Sequence, residues 1–136
     1  MTLYLDTSSL LKLYVEEGGS DQIASLTGRA STVATSAVAY AEARAAVARR
    51  RRERVLTPRS AAQVIESLDA DWASFARIEV TDALARRAGL LADQFGLRGF
   101  DAIHLASFEL VLERADDQAL FSSADAALSR AAGRLG

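Results

Sequence analysis

The chain has no cysteine, a single proline at Pro58, a single histidine at His104 and a single lysine at Lys12. Each scarcity removes a class of chemistry. Without cysteine there are no disulfides, thiolate metal sites or cysteine nucleophiles. One histidine excludes a ribonuclease built on a histidine pair, so any activated water must answer to a metal or a carboxylate. The longest apolar-rich stretch, residues 102–112, carries His104 and Glu109 and is too short and too polar to span a bilayer. The start, Met1-Thr2-Leu3-Tyr4-Leu5-Asp6, has neither a basic leader nor an apolar core. A cytoplasmic location is the expectation. No Gly/Ser linker, low-complexity tract or internal repeat divides the sequence.

The 136 residues suffice for one domain with one core, expected over residues 1–136. Half the residues are apolar and a quarter charged, as in soluble globular proteins. The net charge of −2 does not advertise a polyanion as partner. The distribution is less even, because Arg49, Arg50, Arg51, Arg52 and Arg54 crowd together. That run is either a solvated helix end, where positive charge is favourable, or a local patch for RNA phosphate.

Short apolar runs alternate with longer helical stretches, which argues for an α/β fold with a mostly parallel sheet. Strands are expected at residues 2–5, 32–35, 78–80 and 119–122, with 134–135 a further edge strand. Thr7 or Ser8 should cap a first helix running to Gly18-Gly19, and Ser20-Asp21 open a second toward Leu26. Ser36 should cap a long helix over about 37–53. Thr57-Pro58 begins another that carries Ala62, Val64, Ile65, Leu68 and Trp72. Thr81-Asp82 opens a helix through Ala92, and further helices fall over 100–114 and 124–131. Tyr14, Trp72 and Phe75 lie in apolar stripes and read as core or dimer surface, not as base-stacking platforms.

Four acidic residues do not sit where a solvated face would put them. Asp6 ends the first strand, where open α/β sheets build their sites, although it could equally be a helix cap. Glu42 has Val38, Ala39, Ala45 and Ala46 three and four positions away, so it interrupts an apolar face. A salt bridge to an arginine would also account for it. Asp101 opens the most apolar helix, on the stripe of His104, Leu105 and Phe108; capping is again an alternative. Asp125 follows the last strand, where the helix dipole alone could explain an acid. His104 shares the face of Asp101 and reads more readily as a satisfied core histidine than as a base.

Taken jointly the four mean more, because strand ends and helix starts share one rim in a parallel sheet. Two carboxylates about 4 Å apart repel by roughly 4 kcal/mol at an effective dielectric near 20. A cluster therefore needs protons or cations. Oxygen-only ligation favours a hard ion, Mg²⁺ or Mn²⁺, over zinc.

The segments Leu3-Tyr4-Leu5-Asp6-Thr7-Ser8-Ser9-Leu10, Thr35-Ser36 with Tyr40-Ala41-Glu42, Gly99-Phe100-Asp101-Ala102-Ile103-His104-Leu105-Ala106 and Phe121-Ser122-Ser123-Ala124-Asp125 resemble, in order, the four motifs of the PIN-domain family, at the length of a single-domain VapC toxin. The resemblance implies a three-layer α/β/α sandwich with a central, mostly parallel sheet of four to five strands. It implies a Mg²⁺- or Mn²⁺-dependent endoribonuclease, usually a homodimer, held inactive by a VapB-type antitoxin. Asp6, Glu42, Asp101 and Asp125 would bind metal or position water, with Ser8, Ser36 and Ser123 as accessory hydroxyls and Arg49 to Arg52 as RNA contacts. Ser123 stands where many relatives have threonine, which keeps the hydroxyl. Two other readings stay open: a non-catalytic RNA- or protein-binding module of the same fold, and a hydrolase using Asp6 as nucleophile. Phosphatases of the latter kind want a second Asp two residues on, and Ser8 occupies that place.

Overall fold

The computed structural model describes residues 1–135. Along the chain the elements are β1 (Thr2–Leu5), α1 (Thr7–Leu11), α2 (Ser20–Arg29), β2 (Thr32–Ser36), α3 (Val38–Arg52), α4 (Pro58–Trp72), β3 (Ala76–Ile78), α5 (Asp82–Phe95), α6 (Gly99–Arg114), β4 (Ala119–Ser122) and α7 (Ala126–Gly133). All three strand pairings are parallel, in the order β3-β2-β1-β4.

Alternation along the strands sorts the side chains onto two faces. Leu3 and Leu5 of β1 turn toward α1 to α4, in a core with Leu10, Ala39, Ala43, Val64 and Leu68. Tyr4 and Ala34 turn the other way, toward Leu84, Leu91, Leu105, Phe108 and Leu128 of α5, α6 and α7. The result is the expected three layers around a four-stranded sheet. Tyr4 and Phe121 are register partners on β1 and β4, and their rings stack 5.5 Å apart at 9°.

Winding fixes where a site can form. From β1 to β2 to β3 the chain steps outward in one direction through helices on one face. From β3 it returns past β1 to β4 through α5 and α6 on the other. The winding therefore reverses between β1 and β4, and a crevice opens outside the C-terminal ends of those two strands.

Several local expectations are corrected. Arg134 and Leu135 form no strand; Arg134 caps α7, and the N–H groups of Arg134 and Leu135 go to the carbonyls of Ala131 and Ala132. The cap of α1 is Asp6, not Thr7 or Ser8, with Oδ1 accepting from Ser9 N. That helix also ends at Leu11, because Lys12, Leu13 and Tyr14 bond three residues back and tighten the turn. Ser36 belongs to β2, and Ala37 takes the cap position of α3; even so, Ser36 Oγ accepts from Val38 N at 3.2 Å. The third strand lies at Ala76–Ile78 instead of 78–80, since its pairing ends where β2 ends, at Ser36↔Ile78. Thr57 and Thr81 cap α4 and α5 as expected. Phe75 is buried, and Trp72 packs between it and Tyr40.

Candidate active site

One hollow of about 470 Å³ is lined by Asp6, Thr7, Ser8, Glu42, Arg98, Asp101, His104, Ala124 and Asp125. It lies at the winding reversal between β1 and β4. Its acids come from four places: the residue after β1, the second turn of α3, the first turn of α6 and the cap of α7, three residues beyond β4.

Asp6 is buried at 5 % exposure. Ser9 N donates to its Oδ1 at 3.0 Å and Ser8 Oγ donates to the same oxygen at 2.6 Å. Ser8 Oγ in turn accepts from Ala124 N at 3.0 Å, and Asp6 N donates to Ser122 O. The ends of β1 and β4 are thus stitched together at the acid itself. Asp125 caps α7, its Oδ1 accepting from Leu128 N at 3.0 Å, while its own N–H goes to Ser123 Oγ at 2.9 Å.

Glu42 does not pair with an arginine. Thr7 Oγ1 donates to its Oε1 at 2.6 Å, and His104 Nε2 lies 2.9 Å from the same oxygen. Burial alone would raise the Glu42 carboxyl, but the bonds from His104 and Thr7 outweigh it and hold it below the ordinary range. The far side of the imidazole is engaged too, with Nδ1 2.7 Å from the Tyr4 hydroxyl. Tyr4 is fully buried, and that burial pushes its phenol well above the usual value. His104 is therefore a satisfied buried histidine, as its place among apolar neighbours suggested, and also a contact of the site.

Asp101 behaves oppositely to Glu42. Its carboxyl is pushed up, first by burial and next by the charge of Asp125; Arg98 opposes this and Asp6 adds to it. The cap of α6 is Arg98, so Asp101 is not used as a cap. Asp101 thus faces two other acids without the relief that Glu42 receives. Even so, among the described residues no three His, Asp or Glu side chains converge closely enough to hold one ion as placed. Glu42 is turned to Thr7 and His104, and the cap bonds of Asp6 and Asp125 fix their directions. The donor chemistry, carboxylate oxygen with hydroxyls nearby, suits a hard cation.

The accessory hydroxyls separate. Ser8 lines the hollow, Ser36 is buried at the end of β2, and Ser123 orders the loop before Asp125. Thr7 is the hydroxyl that sequence reasoning passed over, although its place directly after Asp6 was a signal. Arg49 to Arg52 end α3, and at about 1.5 Å rise per residue they lie roughly 10–15 Å along the axis from Glu42. Arg49 pairs with Glu53 and Arg50 with Glu17. The cation in the hollow is Arg98, whose nearness to the Gly99-Phe100-Asp101 motif was its only mark in sequence.

Comparison with known proteins identifies the family and the fold. The PIN domain family model matches residues 3–134. The chain belongs to the PIN-domain family. It is 36 % identical over 105 residues to Ribonuclease VapC45 and to Ribonuclease VapC49, both of Mycobacterium tuberculosis, covering 77 % of this chain and 73 % of each relative. The chain is thus homologous to VapC ribonucleases. Among solved structures, FitAcB from Neisseria gonorrhoeae superposes with a TM-score of 0.70 at 18 % identity, over 96 % of this chain and 93 % of that one. A toxin-antitoxin complex from Klebsiella pneumoniae gives 0.61 at 19 % identity, over 81 % and 80 %. These two likenesses concern the fold. Among the described residues no helix is long and apolar enough to cross a membrane.

Proposed function

We propose that this PIN-domain protein is an endoribonuclease of the VapC type, the toxin of a toxin–antitoxin pair, cutting RNA with Mg²⁺ or Mn²⁺ in the hollow between β1 and β4. The observation that carries the reading is the meeting of Asp6, Glu42, Asp101 and Asp125 around one hollow, in a chain homologous to ribonucleases.

Asp6, Asp101 and Asp125 are the residues that would hold the cation, Asp6 and Asp125 through the carboxylate oxygen that their cap bonds leave free. Bound there, it would supply a Lewis acid for the scissile phosphate and a water of lowered pKa. The rest falls to the protein. Glu42, held below the ordinary carboxyl range, is a weak base at neutral pH and serves to orient water by hydrogen bonding. Asp101, pushed up by burial and by the charge of Asp125, is the acid whose ionised form a cation would relieve most. Arg98 offers the guanidinium that a phosphate needs beside so many carboxylates. Ser8 keeps Asp6 aimed. Arg49 to Arg52 would contact RNA farther from the cut.

A VapB-type antitoxin is the expected partner, in a cytoplasmic setting. A homodimer is favoured by Leu90, Phe100 and Leu112, which leave apolar surface exposed on α5 and α6. The direct test is cleavage of RNA by the purified protein with Mg²⁺ or Mn²⁺, against excess chelator and against Asp6→Asn and Asp101→Asn. Cleavage only by the unaltered, metal-supplied protein is expected. Undiminished cleavage in chelator, or by both variants, would refute the proposal.

A further inference from the structure

A chain of polar contacts runs from the buried centre of the molecule to the floor of the hollow. Tyr4 has no exposed surface and His104 only 2 %. The Tyr4 hydroxyl lies 2.7 Å from Nδ1, and Nε2 lies 2.9 Å from Glu42 Oε1 and 3.1 Å from Thr7 Oγ1. Thr7 donates to that same Oε1 at 2.6 Å.

Hydrogen inventory fixes the direction of this relay. A carboxylate oxygen only accepts, so Nε2 must carry the hydrogen that points at Glu42. A phenol has one hydrogen to give; Nδ1 lies 2.7 Å away, while the neighbouring Ser107 hydroxyl gives its own hydrogen to Ile103 O. Tyr4 donates to His104, His104 donates to Glu42, and Thr7, beside the imidazole, donates to the same Glu42 oxygen. Glu42 Oε1 then holds two donors, and only Oε2 is left for a water.

We propose that Tyr4 is a positioning residue for RNA cleavage, anchoring the His104 ring at Nδ1 and through it the single oxygen that Glu42 presents to the hollow. The proposal rests on the ribonuclease reading above. A merely structural role for the trio would predict lost stability on disruption but no selective change in turnover. Tyr4→Phe separates the two, because the ring and its stacking on Phe121 survive while the hydroxyl is lost.

Because His104 is the only histidine, ¹⁵N-histidine labelling of the full chain gives one unambiguous pair of ring signals. In the unaltered protein at neutral pH, Nε2 should be protonated and Nδ1 should show the shift of a bare acceptor nitrogen. In Tyr4→Phe, Nε2 should keep its hydrogen against Glu42, while Nδ1, having lost its donor, should shift further toward the position of an unbonded acceptor nitrogen. Its kcat on an RNA oligonucleotide should fall about three- to tenfold, the loss of one neutral hydrogen bond, with KM within about twofold. Thr7→Val, which removes the second donor at nearly constant volume, should also lower kcat with little change in KM. A hydrogen found on Nδ1 in the unaltered protein, or wild-type kcat in folded Tyr4→Phe, would overturn the positioning role. Failure of the unaltered protein to cut RNA with either metal would instead overturn the ribonuclease reading and this role with it. The tautomer is measurable in every case, so the two failures are distinct.

Discussion

Asp101→Asn should make the metal-free protein more stable while abolishing its chemistry. Asp101 sits in the first turn of α6 and its carboxyl is pushed up by burial, by Asp125 and by Asp6, with Arg98 opposing. A carboxyl whose folded value is raised contributes its full stability below the unfolded value and loses it as pH rises through the folded one. At neutral pH the ionised group is therefore a cost. Two unit charges about 7 Å apart repel by roughly 2 kcal/mol at an effective dielectric near 20. The hollow is open to solvent and Arg98 takes back part of the repulsion, so a net gain of about 0.5–1 kcal/mol is expected. For a domain of this size that is a rise in Tm of roughly 2–5 °C. Thermal unfolding followed by circular dichroism in chelator, from pH 8 down to pH 3.5, provides the assay. The advantage should be present at pH 7–8 and shrink as the pH falls toward the ordinary Asp range near 4, where the native acid is itself protonated. Adding Mg²⁺ or Mn²⁺ at about tenfold over its dissociation constant should stabilise the unaltered chain by about 1.4 kcal/mol and the variant by less. A variant less stable than the original in chelator, or one stabilised equally by metal, would show that the acids do not share a cation.

Arg98→Ala should raise KM for RNA several-fold and flatten the salt dependence of binding by about one phosphate's worth, whereas Arg51→Ala alone should do little. Arg54 holds a left-handed conformation at φ 60° just after α3. Val55 N bonds back to Arg50 O and Arg54 N to Arg51 O, the double closure that usually employs glycine. Arg54→Gly should accordingly stabilise by about 1 kcal/mol, read as a higher urea midpoint at unchanged slope. Gly96 caps α5 at φ 66°, so Gly96→Ala should lose about 1 kcal/mol by the same reasoning, although the space is open. Leu105→Ala, at a fully buried position in the core beneath α6, should lose about 2–5 kcal/mol in denaturant unfolding.

Much of this was legible from the chain because local rules and tertiary packing agree over most of it. Thr57-Pro58 and Thr81-Asp82 begin helices where their chemistry says they should. Strand alternation at residues 2–5 and the apolar run ending at Ser122 lead straight to the rim. Where the reading slipped, a non-local partner decided. Ile78 and Val80 alternate like a strand, yet pairing stops at Ile78 because β2 has ended. Asp6 won the cap of α1 over Thr7, since Thr7's hydroxyl is engaged by a glutamate 35 residues away. Glu42 was visible as an interruption of an apolar face, but its partner could not be read: His104 is 62 residues on and an arginine was the more ordinary guess. Arg98 was hidden for a similar reason. A lone arginine in a loop carries no periodicity, whereas the run from Arg49 to Arg52 draws the eye and ends a helix elsewhere.

Two of the acids facing the hollow are also the first hydrogen-bond acceptors of helices, Asp6 for α1 and Asp125 for α7. Chemistry and architecture are therefore written in the same letters. A lineage that lost the activity could not easily discard these side chains, because alanine at either place would fray a helix at the sheet's rim. Its inactive descendants should carry asparagine or serine there. In surveys of such proteins, those two residue types at both positions would mark retired nucleases that still fold.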